Sequence, residues 1–457
     1  MSPEVMIHSP HAGLCVVRQP IQSADLSRLA ETCPQRYPHL LQSVAQGQLG
    51  RFDILFAYPQ DTIELMDRAQ ADRFIQAFQD TLKRNQAWLE NTENLPFYGG
   101  WFVYFGYEYA SVIEPSLSLS ASHLPLALLQ RFPAAIIIDH QQQQVCFIAE
   151  AAFADCITQM QADYRGVIGD DTTGQLVVKQ LNEEPPQRYL DGVQRIKDYI
   201  LAGDVFQVNL SRLWALSLDL PACSPHPAAA VYRQLRQHNP APFAGLIQMA
   251  QGAIISSSPE RLVRYDHQWV DTRPIAGTRK RSDNQAEDLA LIAELIAHPK
   301  ERAEHIMLID LERNDLGRIC QPGTVEVNEL MVVESYQHVH HIVSNVRGKL
   351  AKDKTPLDIV HALFPGGTIT GCPKIRCMEI IAELETGPRE AYTGSVGYIN
   401  RDGTMDTNIL IRSFIQQGDQ LRFRAGAGIV ADSDPQFELE ETRHKAKGLL
   451  RALGLVG

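Results

Sequence analysis

The sequence predicts an α+β fold, because strand-like and helix-like stretches occur in groups and do not alternate strictly along the chain. The strand-like stretches include residues 205–210, 253–256, 262–265, 394–399, 407–414 and 421–425. Apolar residues at helical spacing indicate helices at residues 188–202, 299–311 and 375–384. A last helix is expected over residues 435–453, with Asp434 as its N-cap and Pro435 in its first turn.

The composition is that of an ordinary globular protein of 457 residues, long enough for a large enzyme or for two lobes. The net charge is −12, from 42 Lys and Arg against 54 Asp and Glu, which argues against a nucleic acid partner. The eight Cys residues form no C-x-x-C pair, so neither a zinc site nor a redox dithiol is indicated. Since no signal peptide and no membrane-length apolar run is found, we expect a cytoplasmic protein without membrane contact.

A polar segment rich in turn-forming residues divides the chain at residues 169–186. It contains the runs Gly-Asp-Asp-Thr-Thr-Gly and Asn-Glu-Glu-Pro-Pro. We therefore expect an amino-terminal region at residues 1–170 and a second region at residues 186–452.

Two pairs of glutamates stand three residues apart on predicted helices, Glu301 with Glu304 and Glu438 with Glu441. This spacing places both carboxylates of a pair on one helix face. Carboxylates from separate helices are suitable ligands for magnesium, which leaves its other positions to water and a substrate carboxylate. The alternative is two solvated helix faces, and periodicity alone does not bring the two pairs together.

Glycine-rich stretches offer places where an anion or a flat ligand can approach the backbone. Gly277 and Thr278 lie in Arg-Pro-Ile-Ala-Gly-Thr-Arg, which fits either an anion site or a strand-to-loop turn. A second loop at residues 364–374 leads into a helix, and it matches neither the Walker nor the dinucleotide pattern. Gly426 and Gly428 indicate either a flat ligand or tight packing.

Arg412 lies in an apolar, strand-like stretch, where an unpaired buried guanidinium would be unfavourable. Its partner is either a substrate carboxylate or an internal glutamate. The neighbouring histidines His340 and His341 are, on their own, typical of core histidines.

Together these segments resemble the chorismate-utilising enzymes: anthranilate synthase, aminodeoxychorismate synthase, isochorismate synthase and salicylate synthase. The resemblance covers roughly residues 186–450, with weaker likeness in the amino-terminal part. The matching segments, in family order, are SPER at 258–261, PIAGT at 274–278, EH at 304–305, D-L-x-R-N-D at 310–315, HH at 340–341, GGTITGCPK at 366–374, YTGSVGY at 392–398, IR at 411–412, AGAGIV at 425–430 and the E-x-x-E-T-x-x-K of residues 438–445.

The resemblance implies the fold of anthranilate synthase component I, with antiparallel sheets packed face to face and flanked by helices. It also implies chorismate as the substrate and Mg²⁺ as the cofactor. The implied metal residues are Glu304 and Glu441, with Glu301 and Glu438 near the ion or its waters. The implied substrate contacts are Gly277, Thr278, Tyr392, Arg412, Gly426, Gly428 and Lys445, with Glu260 as the general acid and His341 facing the ring.

The residue at position 207 separates nitrogen chemistry from water chemistry within this family. The branches that add water carry a lysine base in the matching strand, whereas this chain has Gln207, which does not accept a proton at neutral pH. We therefore expect ammonia as the nucleophile.

The Q-V-N-L form at 207–210 and the segments at 40–43 and 51–53 favour the aminodeoxychorismate synthase branch, subunit I, whereas Ala276 is the usual anthranilate synthase residue.

The chain carries no glutaminase signature, so the resemblance implies a separate glutaminase subunit that passes ammonia to this one.

A different class of function is an inactive homologue that keeps the fold and acts as a binding or regulatory protein. The presence of Glu260, Glu304, Glu441, Lys445 and Arg412 argues against that class.

Overall fold

The structure is a computed structural model that describes residues 13–44, 50–87, 94–170, 175–222, 226–336 and 339–456. Two large sheets, in which all described strand pairs are antiparallel, form the framework. None of the described helices is long and apolar enough to cross a membrane.

The first sheet contains, in spatial order, β1 (Leu14–Pro20), β8 (Gln144–Glu150), β7 (Ala134–Asp139), β3 (Phe52–Ala57), β2 (His39–Gln42), β11 (Phe243–Met249), β12 (Gly252–Ser258), β21 (Ser413–Gln417), β22 (Gln420–Ile429), β10 (Gln207–Leu218) and β18 (Gly371–Cys372), with β9 (Val178–Glu183) paired to β10. The second sheet contains β15 (Ile275–Lys280), β17 (Val339–Gly348), β14 (Val270–Thr272), β13 (Arg261–Tyr265), β20 (Met405–Ile409), β19 (Ser395–Asn400), β5 (Gly100–Phe105), β6 (Ala127–Phe132) and β4 (Thr62–Leu65), with β16 (Glu326–Ser335) paired to β17.

The α-helices of the described residues are α1 (Leu26–Thr32), α2 (Ala71–Asn85), α3 (Ala110–Ile113), α4 (Cys156–Gly166), α5 (Pro186–Leu201), α6 (Pro227–His238), α7 (Gln285–Ala297), α8 (Pro299–Gly317), α9 (Pro356–Leu363), α10 (Lys374–Leu384) and α11 (Pro435–Ala452). Helices α1, α4, α6 and α11 cover the outer face of the first sheet, where their apolar residues share one core with it. Helices α2, α5, α9 and α10 pack into a second core with strands of both sheets.

The two sheets pack face to face through a core of aromatic and aliphatic side chains. Phe56 of the first sheet meets Phe102 of the second with ring centroids 5.5 Å apart, and Phe132 lies 5.4 Å away on the same side. Alternating residues of each strand point into this layer. The predicted α+β class and face-to-face antiparallel sheets are therefore confirmed.

Strands from both sides of the predicted seam contribute to both sheets. The amino-terminal region supplies five strands of the first sheet and three of the second. The division at residues 1–170 and 186–452 remains a prediction about the order of regions along the sequence, and both regions share the same sheets.

One predicted strand, at residues 407–414, is wrong in an informative way. The structure has two strands there, β20 in the second sheet and β21 in the first. The chain crosses between the sheets at residues 410–412, and Arg412 takes a left-handed backbone conformation with φ of 52°. Apolar residues on both sides of the crossing give an unbroken strand-like pattern, because Ile409, Leu410 and Phe414 are all buried, although each belongs to a different core.

The predicted helices α5, α10 and α11 begin and end within two residues of their expected bounds, and Asp434 caps α11 by accepting from Phe437 N. Helix α8 is six residues longer than expected and ends at Gly317. Its extension carries the buried acids Glu312 and Asp315, whose polar character hides the buried helix face in the sequence. Strand β22 likewise continues to Ile429, so Gly426 and Gly428 lie within a strand.

A buried ion cluster anchors the loop that follows α10. The Glu385 carboxylate accepts from Ser211 N at 2.7 Å and from Arg389 Nη2 at 2.6 Å, and Arg424 Nη1 lies 3.3 Å away. Arg389 Nη2 also donates to the Asn209 carbonyl at 2.7 Å. Since all these groups are buried and paired, the cluster holds β10 and β22 against this loop.

We expect Glu385→Ala to lower the free energy of unfolding by about 3 to 5 kcal/mol, because it leaves Arg389 and Arg424 buried without their counter-ion. Glu383→Ala is the matched control. It removes a half-exposed carboxylate that contacts Tyr199, and it should change the free energy by less than about 1 kcal/mol. Denaturant unfolding of both variants measures the difference, and equal losses would contradict an anchoring role for the cluster.

Candidate functional site

Two glycines of β22 form the floor of the candidate site. Strands β10 and β22 pair over ten residues, from Val208 with Ile429 to Ser217 with Gln420. A Cβ added to Gly428 would collide with the Gln207 side chain, and one added to Gly426 would lie 2.8 Å from both Asn209 Oδ1 and the Tyr392 hydroxyl. The missing side chains therefore leave a strip of backbone against which the polar groups of Gln207, Asn209 and Tyr392 lie closely.

Gln207 and Asn209 border this strip on the same face of β10, since alternate residues of a strand point the same way. Gln207 Nε2 donates to Glu304 Oε1 at 3.2 Å, which directs Gln207 Oε1 away from that carboxylate. Both amide oxygens, Gln207 Oε1 and Asn209 Oδ1, are buried without a hydrogen-bond partner among the described residues. Buried acceptors are usually satisfied, so two such oxygens on one face of a strand indicate a place for a ligand.

Helix α11 brings a cation to the same strip. Lys445 Nζ donates to the Gly426 carbonyl at 3.0 Å and lies 3.5 Å from Glu441 Oε1, one helical turn earlier. Glu441 and Lys445 are therefore placed beside the glycine floor by the packing of α11 against β22. The contact described for Glu438, in contrast, is with Ser433, whose hydroxyl donates to Glu438 Oε1 at 2.7 Å.

Strands β15 and β17 supply another wall. Thr278 pairs with His341 in register, and Thr278 Oγ1 lies 2.9 Å from His341 Nδ1. Burial, together with the positive charge of Arg412, lowers the pKa of His341 to about 4, so its ring is neutral near pH 7. Gly277 has a φ of 74°, and a Cβ there would collide with the Glu301 carboxylate.

The four glutamates predicted to bind metal contact different parts of this site. Glu304 meets Gln207, Glu441 meets Lys445, and Glu301 Oε1 accepts from Arg279 Nη1 at 2.7 Å. Glu301 Oε2 is buried without a hydrogen-bond partner among the described residues, which fits a carboxylate oxygen available to a cation.

Within the described part of the chain, no group of three or more His, Cys, Asp or Glu side chains is arranged to hold a metal ion. Magnesium commonly takes one or two protein carboxylates and fills its other positions with waters and substrate oxygens. The residues present fit such a partial ligand set, and the magnesium assignment remains a prediction.

Glu260 is a buried residue in the turn between β12 and β13, directly before Arg261. Thr368 Oγ1 donates to Glu260 Oε1 at 2.7 Å. Burial raises the pKa of Glu260 to about 7, against the opposing effects of Thr368, Arg412 and Lys445. A carboxyl group that is about half protonated near neutral pH suits a general acid.

Arg412 lies at the crossing between the sheets. Its backbone is held there by a hydrogen bond in which Ser257 N donates to the Arg412 carbonyl at 3.2 Å. Its guanidinium makes no hydrogen bond or ion pair with the rest of the described chain. Burial lowers the pKa of Arg412, while the charges of Glu260 and Glu441 act in the opposite direction. Of the two partners expected from the sequence, the geometry therefore favours a ligand carboxylate over a directly paired internal glutamate.

Tyr392 completes this end of the site. Its ring packs under the Arg389 guanidinium, whose carbon lies 5.4 Å from the ring centroid, and its hydroxyl faces Gly426. Burial raises the pKa of Tyr392 to about 12, so the hydroxyl is a hydrogen-bond donor at neutral pH.

Three residues at the site were not singled out from the sequence. Thr368 orients Glu260, and Asn209 borders the floor; both lie in segments that the family resemblance already includes. Glu312 of α8 is buried near Thr272, and burial together with the charge of Asp315 raises its pKa to about 8. No sequence signal distinguishes Glu312 from an exposed glutamate in a polar helix.

A separate cavity of about 760 Å³ opens between the two sheets near β2 and β3. Gln42 and Ser43 line it; Gln42 Nε2 donates to the buried Asp53 Oδ2 at 2.9 Å, and Ser43 N donates to Asp53 Oδ1 at 3.0 Å. Gln42 Oε1 also accepts from the Tyr232 hydroxyl at 2.8 Å. These bonds need an amide at position 42, because a carboxylate there would face Asp53 directly.

Comparison with known proteins agrees with the motifs and the fold. A family model described as chorismate binding enzyme matches residues 37–451. The chain belongs to this family, which confirms the resemblance to chorismate-utilising enzymes.

Relatives from two branches of the family cover most of the chain. An anthranilate synthase component I-like protein of Synechocystis sp. is 46% identical over 364 residues, which span 79% of this chain and 74% of that protein. Aminodeoxychorismate synthase component 1 of Bacillus subtilis is 38% identical over 456 residues, which span 94% of each chain. The crystal structure of anthranilate synthase component I from Streptococcus pneumoniae matches with a TM-score of 0.75 at 31% identity, covering 88% of this chain and 92% of that one.

Glu260 allows a test of the site that needs no ligand. Its pKa of about 7 lies above the ordinary value of 4.5, so wild-type stability falls as pH rises between these values. Glu260→Gln has no such loss. The free energy of unfolding of the variant, relative to that of the wild type, should therefore rise by on the order of 3 kcal/mol as the pH goes from 4.5 to 8.

Denaturant unfolding at pH 5, 6, 7 and 8 measures this gain. Glu379→Gln, which removes a half-exposed carboxylate beside Arg376, serves as the control for the change from Glu to Gln. A difference between Glu260→Gln and wild type that stays constant across this range would show that Glu260 is not held protonated.

Proposed function

We propose that the chain is the synthase subunit of an aminodeoxychorismate synthase, which converts chorismate and ammonia to 4-amino-4-deoxychorismate and water. The observation that carries the choice of ammonia is Gln207. Its amide lies against Glu304 beside the glycine floor, in the place where the water-adding branches have a lysine base. An amide does not take a proton from water, whereas ammonia is a nucleophile without such help.

The arrangement of charges supports chorismate as a ligand with two carboxylates. In this proposal the ring lies over Gly426 and Gly428. The enolpyruvyl carboxylate meets Arg412 and the Tyr392 hydroxyl, and the ring carboxylate lies towards Lys445 and the Gly277 and Thr278 backbone. The unpaired Arg412 guanidinium supports this orientation, because a carboxylate would supply its missing counter-ion.

The proposed chemistry balances within the site. Protonated Glu260 gives its proton to the C4 hydroxyl, so that the C4–O bond breaks and water leaves. Ammonia forms the new C4–N bond, and the ammonium group so formed returns a proton to the Glu260 carboxylate. Thr368 keeps Glu260 directed at the leaving group throughout. Since position 276 is alanine, no covalent intermediate forms at that residue, and ammonia attacks the ring directly.

Magnesium is proposed as the cofactor, held by Glu304 and Glu441 with Glu301 and Glu438 nearby. It would act as a Lewis acid that binds the ring carboxylate and offsets the negative charge of the site. The unpartnered Glu301 Oε2 supports a cation at this wall.

The preference for aminodeoxychorismate over anthranilate rests on the pairing of Gln42 with Asp53. The corresponding segment of anthranilate synthases has glutamate at the position of Gln42. Here the amide donates to Asp53 and accepts from Tyr232, so this part of the cavity is built around glutamine.

Anthranilate synthase component I is the second candidate, and Ala276 is the observation that favours it. The side chain is buried in β15 with 7% of its surface exposed, and the residue pairs with Ile342. No lysine is present at this position to form a covalent bond with the ring, as some aminodeoxychorismate synthases do. In this candidate the metal and carboxylate residues keep the same roles.

We also propose a separate glutaminase subunit as the source of ammonia. All three similar proteins reported above carry the designation component 1 or component I in their names, which supports a second component. A chain that acts in this way is expected in the cytoplasm with its partner.

The metal assignment is tested by Glu304→Gln and Glu441→Gln. Each variant should lose magnesium-dependent turnover by at least about 100-fold, since it removes a charged ligand from the ion, while thermal unfolding stays close to that of the wild type. Glu440→Gln is the control, because Glu440 is half-exposed on the same helix and pairs with Arg443. Full activity in both Gln variants would exclude these glutamates as ligands.

The function is tested by incubating the purified chain with chorismate, magnesium and an ammonium salt. The pH is near 8.5, because a pH closer to the pKa of ammonium raises the fraction of free ammonia. We expect a non-aromatic aminated product that an added lyase converts to 4-aminobenzoate, and no product from glutamine alone. Anthranilate with pyruvate would establish the second candidate. Isochorismate without a nitrogen source would refute amination, and no turnover at all would favour an inactive homologue.

A further inference from the structure

Two buried amide oxygens on β10 have no hydrogen-bond donor among the described residues, and both belong to side chains that border the glycine floor. Gln207 has 2% of its surface exposed and Asn209 has 8%, so water reaches neither side chain freely. Their oxygens, Gln207 Oε1 and Asn209 Oδ1, make no hydrogen bond in the described part of the chain. Burying an acceptor without a donor is unfavourable, so a ligand that supplies N–H or O–H groups fits between them.

The orientation of Gln207 is determined by its neighbour. Its Nε2 donates to Glu304 Oε1 at 3.2 Å, and a carboxylate only accepts. Gln207 Oε1 therefore points away from Glu304. Asn209 is held through its backbone, with its N–H donating to the Thr370 carbonyl at 2.9 Å and its carbonyl accepting from Arg389 at 2.7 Å.

Asn209 Oδ1 faces the end of the floor where Tyr392 lies. Both this oxygen and the Tyr392 hydroxyl are 2.8 Å from the place where a Cβ of Gly426 would be. The carboxylates of chorismate carry no hydrogen to donate to an amide oxygen, and its C4 hydroxyl is the group that Glu260 protonates in the proposed function. The other reactant, ammonia, has three N–H groups and one lone pair.

We propose that Gln207 and Asn209 form the subsite for the ammonia nucleophile, each amide oxygen accepting one N–H; this rests on the proposed function. An N–H···O bond spans about 3 Å, so one nitrogen joins two oxygens up to about 6 Å apart. The Cα atoms of alternate strand residues are about 6.6 Å apart, and the Gln207 side chain, one methylene longer than that of Asn209, can bring its oxygen within this reach. The ammonia lone pair then faces the ring above Gly426 and Gly428.

Amide oxygens suit this task better than carboxylates. A carboxylate would stabilise ammonium, which has no lone pair to attack with, whereas a neutral amide accepts from ammonia without adding charge. The Glu304 carboxylate lies on the Nε2 side of Gln207, away from the proposed subsite. The cations Lys445 and Arg412 near the floor further disfavour ammonium.

Asn209→Leu tests the subsite in the full chain, with chorismate, magnesium and varied ammonium chloride at fixed pH. The KM for ammonia should rise about 2- to 10-fold, the effect of one lost hydrogen bond. The KM for chorismate should stay within about two-fold of the wild-type value, because the variant leaves the residues proposed to hold its carboxylates in place. Gln416→Leu is the control, since Gln416 Oε1 is another buried amide oxygen without a partner, on β21 and bonded through Nε2 to Gly418.

Asn209→Asp keeps the shape of the side chain and decides the question if the leucine variant does not fold. Its charge should hold ammonium in place of ammonia, so kcat should fall about 10-fold or more without a rise in the KM for total ammonium. Wild-type ammonia kinetics in the folded variants, or a KM for chorismate that rises as much as that for ammonia, would overturn the subsite. If the wild-type chain forms no aminated product of any kind, both the proposed function and the subsite are refuted. If the aminated product is anthranilate, the second candidate function replaces the proposed one, and the subsite for ammonia still stands.

Discussion

The pairing of β10 with β22 is the constraint on which the rest of the site depends. Ten residue pairs hold the two strands in one register, so every side chain of both strands has a defined face. On one face Val208 and Leu210 enter the core against α5. On the other face Gln207 and Asn209 lie beside glycines. A shift of one residue in this register would bury the amides and expose the apolar side chains, so the site and the core are specified by the same hydrogen bonds.

The polar end of this strand pair is secured by charge. The Glu385 carboxylate joins Ser211 and two arginines beyond Asn209, and Arg389 in turn packs over the Tyr392 ring. The cluster therefore closes one end of the glycine floor and positions Tyr392. At the other end Gln207 meets Glu304 of α8. The floor thus lies between a closed ion cluster at one end and the contact of Gln207 with Glu304 at the other.

The crossing of the chain between the two sheets brings the remaining groups to the site. Residues 410–412 leave the second sheet after β20 and enter the first at β21, so Arg412 lies where the chain passes from one sheet to the other. Glu260 is tied to the same crossing, because its carbonyl accepts from Ile409 N at 3.0 Å. An acid and a guanidinium in direct reach of each other would form a closed pair. Here their charges interact at longer range, which leaves both available to a ligand.

The sequence by itself determined the α+β class, the helices α5, α10 and α11, and the family to which the chain belongs, because helix periodicity, caps and ordered motifs are local properties. It also indicated Glu260, Arg412 and the glycines as site residues through those motifs. Only the tertiary structure decided that the run at 407–414 is two strands, that Thr368 orients Glu260, and that Asn209 and Gln207 present unpartnered oxygens to one floor. These features depend on which sheet a strand joins and on what lies across from it, and such contacts between distant parts of the chain leave no periodic signal in the sequence.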